Sequence, residues 1–172
     1  MRSRVELGYT PGVIGRVAEL HGRYYSRQFG FGSFFEARVA ADVADFFRSY
    51  DPDRDLFLAM FEGADIIGSI AVDGSRAARD GAQLRWFIVD ESVQGHGVGK
   101  LMLNSAVAFC RQHRYRSIYL ETFVGLDVAR HLYEQAGFKL TREAVGSQYG
   151  ARVVEQRFEL ALGHPAEEPG RR

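Results

Sequence analysis

Gln94-Gly95-His96-Gly97-Val98-Gly99-Lys100 is the segment of this chain whose residue types most directly imply chemistry. Its glycines fall at alternate positions, between the apolar run Leu84-Arg85-Trp86-Phe87-Ile88-Val89 and an amphipathic stretch that starts at Val98. A glycine-rich turn joining a strand to a helix lets successive main-chain N–H groups converge on one anion, and the helix N-terminus adds partial positive charge. Such a turn is suited to cradle a pyrophosphate. Two familiar phosphate loops fail on specific residues. The dinucleotide fingerprint needs a third glycine where Lys100 stands, although Glu121 lies roughly 20 residues on, where an acidic ribose partner would belong. The nucleoside triphosphate loop needs Ser or Thr after Gly-Lys, whereas Leu101 follows Gly99-Lys100 and Gln94 holds the first glycine position.

The spacing that remains, Gln94-x-x-Gly97-x-Gly99, resembles the acetyl-CoA pyrophosphate loop of the GNAT superfamily of N-acetyltransferases, which reads Arg or Gln, two residues, Gly, one residue, then Gly or Ala. A second segment, Ala129-Arg130-His131-Leu132-Tyr133-Glu134-Gln135-Ala136-Gly137-Phe138, resembles that family's late helix, with its Leu-Tyr-Glu core and Gly-Phe stop. Ala129, Leu132, Tyr133 and Ala136 share one face at helical spacing, and Gly137 suits a C-terminal cap. The two motifs follow in the family's order with one strand between them. More loosely, the chain is similar to the acetyltransferase domain found fused to MarR-type transcriptional regulators.

Around these motifs the elements can be read from periodicity and punctuation. Thr10-Pro11 reads as an N-cap followed by proline at the first helical position, and Val13, Val17, Leu20 and Tyr24 mark one face of a helix to about Arg27. Ser33 with Glu36 reads as a capping box, opening a helix carried by Phe35, Val39, Val43, Phe46 and Phe47 up to Tyr50. Leu56–Glu62 and Ile66–Asp73 predict two strands of a hairpin about Gly63-Ala64-Asp65. A polar stretch from Gly74 to Gly81 leads to a strand at Leu84–Val89. After the glycine loop come a helix from Val98 to about His113, a strand at Ser117–Phe123, a helix at Asp127–Ala136, and closing strands near Phe138–Glu143 and Val153–Leu160. Strands alternating with helices after a hairpin predict an α/β fold with a mixed sheet. The resemblance adds that this central β-sheet is splayed, flanked by helices, and receives the cofactor in its gap. Residues 1–162 are expected to form a single acetyltransferase domain, and residues 163–172, polar and Pro/Gly-bearing, a disordered tail.

Composition sets the outer bounds. The chain has 172 residues, 46% hydrophobic and 26% charged, which is ordinary for one globular domain. Lys+Arg and Asp+Glu are equal at 22 each, so no overall field draws it to nucleic acid or to an anionic membrane. No apolar run approaches the roughly 20 residues that span a bilayer, and Met1-Arg2-Ser3-Arg4-Val5-Glu6 leads into no apolar signal segment, so a cytoplasmic location is expected. Cys110 falls on the apolar side of a helix and reads as a packing residue. His21, His96, His113, His131 and His164 show no metal-ligand spacing, and no metal is expected.

The resemblance implies an acetyl-CoA-dependent N-acetyltransferase that passes acetyl directly to a primary amine of a small metabolite such as an amino acid. A protein or peptide N-acetyltransferase, and a non-catalytic acyl-CoA-binding sensor, are the alternatives. By the same resemblance, main-chain groups of Phe87, Ile88 and Val89 pair with the pantetheine arm, while Gln94, Gly95, His96, Gly97, Val98, Gly99 and Lys100 hold the pyrophosphate. Tyr133 is the implied acid, facing the cofactor sulfur. An alkyl amine with a pKa near 10 is almost wholly protonated at pH 7, and removing its proton costs about 4 kcal/mol, so a base is wanted. Glu121, ending the strand across the gap, is the first candidate, ahead of Asp90 and Glu91. Leu126 stands where the family often carries a cofactor-contacting asparagine. Tyr24, Tyr25 and Arg27 are the substrate-binding candidates, near His21 and Phe29, and Gln148-Tyr149-Gly150 with Gln156 is the late segment expected to shape specificity. Homodimers through the sheet edge or last strands are frequent in the family, so a homodimer is among the implied partners.

Overall fold

The run Leu56-Phe57-Leu58-Ala59-Met60-Phe61 is apolar at every position because both faces of the strand it forms are covered. The computed structural model describes residues 3–163. In chain order the elements are β1 (Ser3–Leu7), α1 (Val13–Phe29), α2 (Ser33–Arg48), β2 (Leu56–Glu62), β3 (Asp65–Asp73), α3 (Ala77–Asp80), β4 (Ala82–Val89), a 3-10 turn (Glu91–Val93), α4 (Val98–Gln112), β5 (Ser117–Phe123), α5 (Asp127–Gln135), β6 (Lys139–Gly146) and β7 (Val153–Ala161). The strands form one seven-stranded mixed sheet in the order β1-β2-β3-β4-β5-β7-β6, with β4 and β5 its parallel pair. Among the described residues no helix is long and apolar enough to cross a membrane.

Alternation along β2 sends Leu56, Leu58 and Met60 to one side, where they meet Met102, Leu103 and Ala106 of α4 and Tyr133 of α5. Phe57, Ala59 and Phe61 go to the other side, against Val13 and Val17 of α1 and Phe35, Val39 and Phe46 of α2. The sheet is therefore sandwiched between two helical layers. Cys110 is fully buried in the first of these cores, where desolvation pushes its thiol up to about 12. The late helix ends as its sequence requires: Gly137 takes φ +95°, and the amides of Gly137 and Phe138 close back on Glu134 and Tyr133 at 3.0 Å each.

Several local expectations need correction. Thr10 does not cap α1; Gly12, at φ 91°, occupies the N-cap, and the Thr10 hydroxyl donates to Glu6 at 2.8 Å instead. Ser33 is the first residue of α2, behind Gly32 at the N-cap, and no side-chain cap bond forms. Glu36 lies against α1 instead of folding back, so close that a Cβ on Gly22 would stand 2.7 Å from its carboxylate. β4 begins at Ala82, two residues before its expected start, and α1 continues to Phe29. β1 was not anticipated, since its side chains are mostly exposed and give no core pattern. The expected tail at residues 164–172 lies outside the described residues.

The feature that shapes the site is a bulge in β4. Ser69 pairs with Ile88 and Ala71 with Arg85, so Trp86 and Phe87 together stand opposite Ile70. Trp86 adopts φ 45°, unusual for a residue with a side chain, and the buried Ser69 hydroxyl donates to its carbonyl at 2.8 Å. An extra residue bends and twists a strand, and here β4 leaves its parallel neighbour: β4 and β5 pair only at Ala82 with Ile118 and Gln83 with Tyr119. Beyond those pairs the edge of β4 that faces β5 carries no ladder bond. Ser69→Ala leaves the Trp86 carbonyl without its partner, and a loss of about 1–3 kcal/mol is expected, read as a lower urea midpoint at unchanged slope. A midpoint equal to that of the parent would show that the bulge does not need this hydroxyl.

Candidate active site

Where β4 and β5 part, a cleft of about 170 Å³ opens between the two helical layers. One wall is aromatic: Tyr25 of α1, Phe35 of α2, Trp86, Phe123 and Tyr149 all line it. These rings hold one another, with centroids 4.9 Å apart for Tyr25 and Phe35, 5.8 Å for Tyr25 and Phe123, and 5.2 Å for Phe123 and Tyr149. The opposite wall is Phe87, Ala129 and Tyr133. Leu126, standing at the N-cap of α5, lines the cleft from the aromatic side. The bulge puts the consecutive residues Arg85 and Trp86 on the α2 side, where Arg85 reaches Asp42 at 3.3 Å and Asp73 at 3.5 Å and stacks over the Trp86 ring. Arg38 shares Asp42 at 3.7 Å and donates to the Gln148 carbonyl, tying α2 to the turn between β6 and β7.

At the C-terminal end of β4 the glycine-rich loop stands exposed. Gly95 and Gly97 take φ +80° and +81°, and a Cβ at either would meet nothing within 4 Å, so conformation and not space requires glycine there. Gly97 is the N-cap of α4, and the first ladder bond runs from the Leu101 amide to its carbonyl at 3.0 Å. The amides of Gly95, His96 and Gly97 find no acceptor among the described residues, and those of Val98, Gly99 and Lys100 are the first-turn donors that no helix satisfies internally. Gln94 does not reach outward; its Nε2 donates to the Val89 carbonyl at 2.9 Å and braces the loop on β4. His96 likewise folds back, with Nδ1 3.0 Å from the Gln94 carbonyl. Gly99 allows close packing, since a Cβ there would lie 3.2 Å from Leu132 and 3.4 Å from the Phe87 ring. Residues 94–100 do not line the cleft. Phe87 connects them to it, touching the loop's last glycine on one side and lining the cleft with Tyr133 on the other.

The other candidates divide. Tyr133 is buried among Phe87, Phe138 and Phe158, and its hydroxyl has no hydrogen-bond partner among the described residues. Desolvation holds this phenol well above its ordinary range, with Tyr149 adding to the effect, so it stays protonated. Glu121 lines the cleft on the aromatic side and also a neighbouring groove with Gln148 and Gln156; its nearest cation is Arg142, at 3.7 Å. Asp90 and Glu91 are used elsewhere. Asp90 caps the 3-10 turn, and the bonds it accepts from Ser92 lower its pKa, while Glu91 pairs with Arg27 at 2.6 Å. Tyr25 lines the cleft, but Tyr24 and Arg27 lie on a separate groove of about 430 Å³ beside Ile88, Val89 and Glu91. Sequence reasoning did not single out Phe35, Arg38, Asp42, Arg85 or Phe123, because their approach to the cleft depends on the bulge and on how α2 crosses the sheet.

His21 also lines the cleft, buried and stacked against Tyr25 with ring centroids 6.0 Å apart. Its Nδ1 lies 2.8 Å from the Val17 carbonyl, which assigns the hydrogen to Nδ1 and leaves Nε2 as an acceptor. Desolvation lowers its pKa from 6.5 to about 4, outweighing that backbone bond. A depressed value means stability that is complete above about pH 6.5 and declines as pH falls toward about 4. The loss is on the order of 3 kcal/mol. His21→Asn, which keeps a donor for Val17, is expected to flatten this part of the curve of melting temperature against pH; an unaltered slope would mean that other groups carry it.

Comparison with known proteins agrees with this geometry. The model of the acetyltransferase (GNAT) family matches residues 16–138. Human N-acetyltransferase 8 is 24% identical over 115 residues, covering 64% of this chain and 51% of that protein. The chain spans about half the length of the curated relatives it matches. Among solved structures, yncA of Salmonella typhimurium, determined with its cofactor acetyl-CoA, superposes with a TM-score of 0.74 at 14% identity, covering 99% of this chain and all 100% of that one. The ribosomal-protein-S18-alanine N-acetyltransferase of Escherichia coli gives 0.69 at 16% identity, covering 96% and 97%. With a splayed β4–β5 pair, a glycine loop of unpartnered amides at its end, and a family model spanning most of the chain, this protein belongs to the GNAT acetyltransferase family.

Proposed function

We propose that this chain, with residues 1–162 as one catalytic unit, transfers acetyl from acetyl-CoA to a primary amine of a small metabolite such as an amino acid. The observation that carries the reading is the pairing of unpartnered amides at residues 95–100 with a free β4 edge that leads to Tyr133. These features fit the ligand. The amides and the N-terminus of α4 suit a pyrophosphate, with exposed Lys100 adding charge, and the open main chain of Phe87, Ile88 and Val89 suits the amides of a pantetheine arm. Bound there, acetyl-CoA supplies an acyl carbon activated toward amines. The Tyr133 hydroxyl, kept protonated by burial, donates a hydrogen bond to the departing sulfur, and Glu121 takes the proton of the amine.

A small acceptor is supported by the cleft's volume, about 170 Å³, close to the ~150 Å³ cavity that holds benzene. Arg38 and Arg85 in its wall suit a carboxylate on that acceptor, with Tyr25 beside it and Tyr24 and Arg27 at the outer groove. That outer groove, opening beside the end of β4, favours a second reading in which an extended peptide is the acceptor. A cytoplasmic location, expected from the short apolar runs, and a homodimer, by family likeness, belong to the same proposal.

Free thiol release from acetyl-CoA, followed with small amines and with an alanyl peptide, separates these readings. Turnover on small amines supports the first, turnover confined to the peptide the second, and coenzyme A binding without turnover a sensor. Tyr133→Phe is expected to lower kcat by about 10²–10⁴ with little change in coenzyme A affinity; a smaller loss would leave Tyr133 as a packing residue. Gly97→Ala adds no clash, yet forces alanine into a left-handed conformation that costs roughly 1–2 kcal/mol, so calorimetry is expected to read about tenfold weaker coenzyme A binding. Undiminished affinity would move the pyrophosphate site elsewhere.

A further inference from the structure

Three phenols line the one cleft from separate elements: Tyr25 from α1, Tyr133 from α5, and Tyr149 from the turn between β6 and β7. None of their hydroxyls has a hydrogen-bond partner among the described residues. Every fully buried polar side-chain atom described does have one, so the free valences of these hydroxyls are turned to the cleft itself. Desolvated hydroxyls left unpaired are costly, and a cluster of them marks where polar atoms of a ligand come to rest. The Tyr149 ring is fixed by Phe123 at 5.2 Å and by Phe31 and Phe35, each at 6.2 Å. Its turn is anchored twice at Gln148: Arg38 donates to the Gln148 carbonyl, and the Gln148 amide donates to Glu155 at 2.9 Å. Tyr149 is thus a rigid donor and acceptor in a cleft that Glu121 also lines, with Tyr133 on the other wall.

We infer that Tyr149 is a second catalytic phenol, receiving the proton of the acceptor amine on its oxygen while passing its own hydroxyl proton through a bridging water to Glu121, and that Tyr25 orients the same nitrogen by a hydrogen bond. The inference rests on the acetyltransferase reading. One N–H bond of the ammonium breaks as an O–H bond forms on Tyr149; the O–H bond that Tyr149 gives up is replaced by one on the bridging water, which gives up one of its own to the Glu121 carboxylate. Tyr149 ends neutral, the amine is left with a free electron pair for the acyl carbon, and Glu121 holds the proton until solvent removes it. Among the described residues Glu121 has one ion pair, with the largely exposed Arg142 at 3.7 Å. The environment suits a relay that never leaves a phenolate behind: burial first, then the charges of Glu121, Tyr25 and Glu155, raise the pKa of Tyr149, opposed by Arg38. His21, the other acceptor in the cleft, is a poor base at a pKa of about 4.

The test is the pH dependence of kcat/KM for the full chain and for Tyr149→Phe, Glu121→Gln and Tyr25→Phe, using whichever of phenethylamine, ethanolamine, L-phenylalanine and an alanyl tripeptide the parent turns over fastest. A relay lets the enzyme act on the ammonium form, so the parent profile is expected to be nearly flat between about pH 6 and 9. Without it only the free amine reacts. Tyr149→Phe and Glu121→Gln are then expected to lose about 10²–10⁴ at neutral pH, to regain roughly tenfold per pH unit toward alkaline pH, and to be no worse when combined. Tyr25→Phe is expected to raise KM for the amine and keep the parent's profile. Coenzyme A affinity, read by calorimetry, serves as the check on folding. A Tyr149→Phe enzyme with the parent's profile, whether at full rate or uniformly reduced, would overturn the role of Tyr149 and leave the acetyltransferase reading standing. No thiol release by the parent with any of the four amines would bring down both.

Discussion

One backbone irregularity governs this molecule: the extra residue in β4 at Trp86, pinned by the Ser69 hydroxyl. A regular parallel strand in that position would pair with β5 along its length, and its main-chain groups would be spent on the sheet. The bulge turns β4 aside after Gln83, so the sheet is closed at one end and open at the other. Closure at Ala82 and Gln83 keeps both helical layers on one continuous sheet. Opening beyond them exposes main-chain donors and acceptors beside the cleft. Arg85 and Trp86 reach the α2 side together for the same reason, bringing a cation and an indole into the wall.

The cleft that results has two unlike ends. Toward the loop at residues 94–100 the surface is exposed and rich in amides pointing to no acceptor, a setting for a charged, hydrated group. Toward the sheet it is aromatic and desolvated, and burial holds Tyr25, Tyr133 and Tyr149 protonated and His21 neutral. A long ligand with an anionic head and an uncharged reactive tail matches that gradient. Charge inside the cleft is confined to residues that partner one another, Arg38 and Arg85 with Asp42, and to Glu121, tethered only loosely by Arg142.

How legible these features were depends on whether they are local. The glycine loop announced itself because Gly95 and Gly97 adopt backbone angles that few other residues tolerate, so the sequence must carry them openly. The Gly137 cap was visible for the same reason. Helix starts were misread at Thr10 and Ser33 because a glycine just before each helix took the cap position, and both glycines looked like ordinary loop residues. Tyr24, Tyr25 and Arg27 read as one group along the first helix, yet the helix rotates them apart, so that Tyr25 lines the cleft and the other two a separate groove.

The amino-acid sequence by itself determined the α/β order of elements, the hairpin, the phosphate-type loop and the family, because periodicity, turn glycines and short motifs are properties of neighbouring residues. Family likeness implied a gap in the sheet, but only tertiary structure showed what opens it, since the bulge at Trp86 is a matter of register between β3 and β4 and leaves no local signature. It also decided which side chains meet in the opening. Tyr25, Glu121, Tyr133 and Tyr149 come from four distant parts of the chain, and only the crossing of helices over a splayed sheet brings them to one cavity.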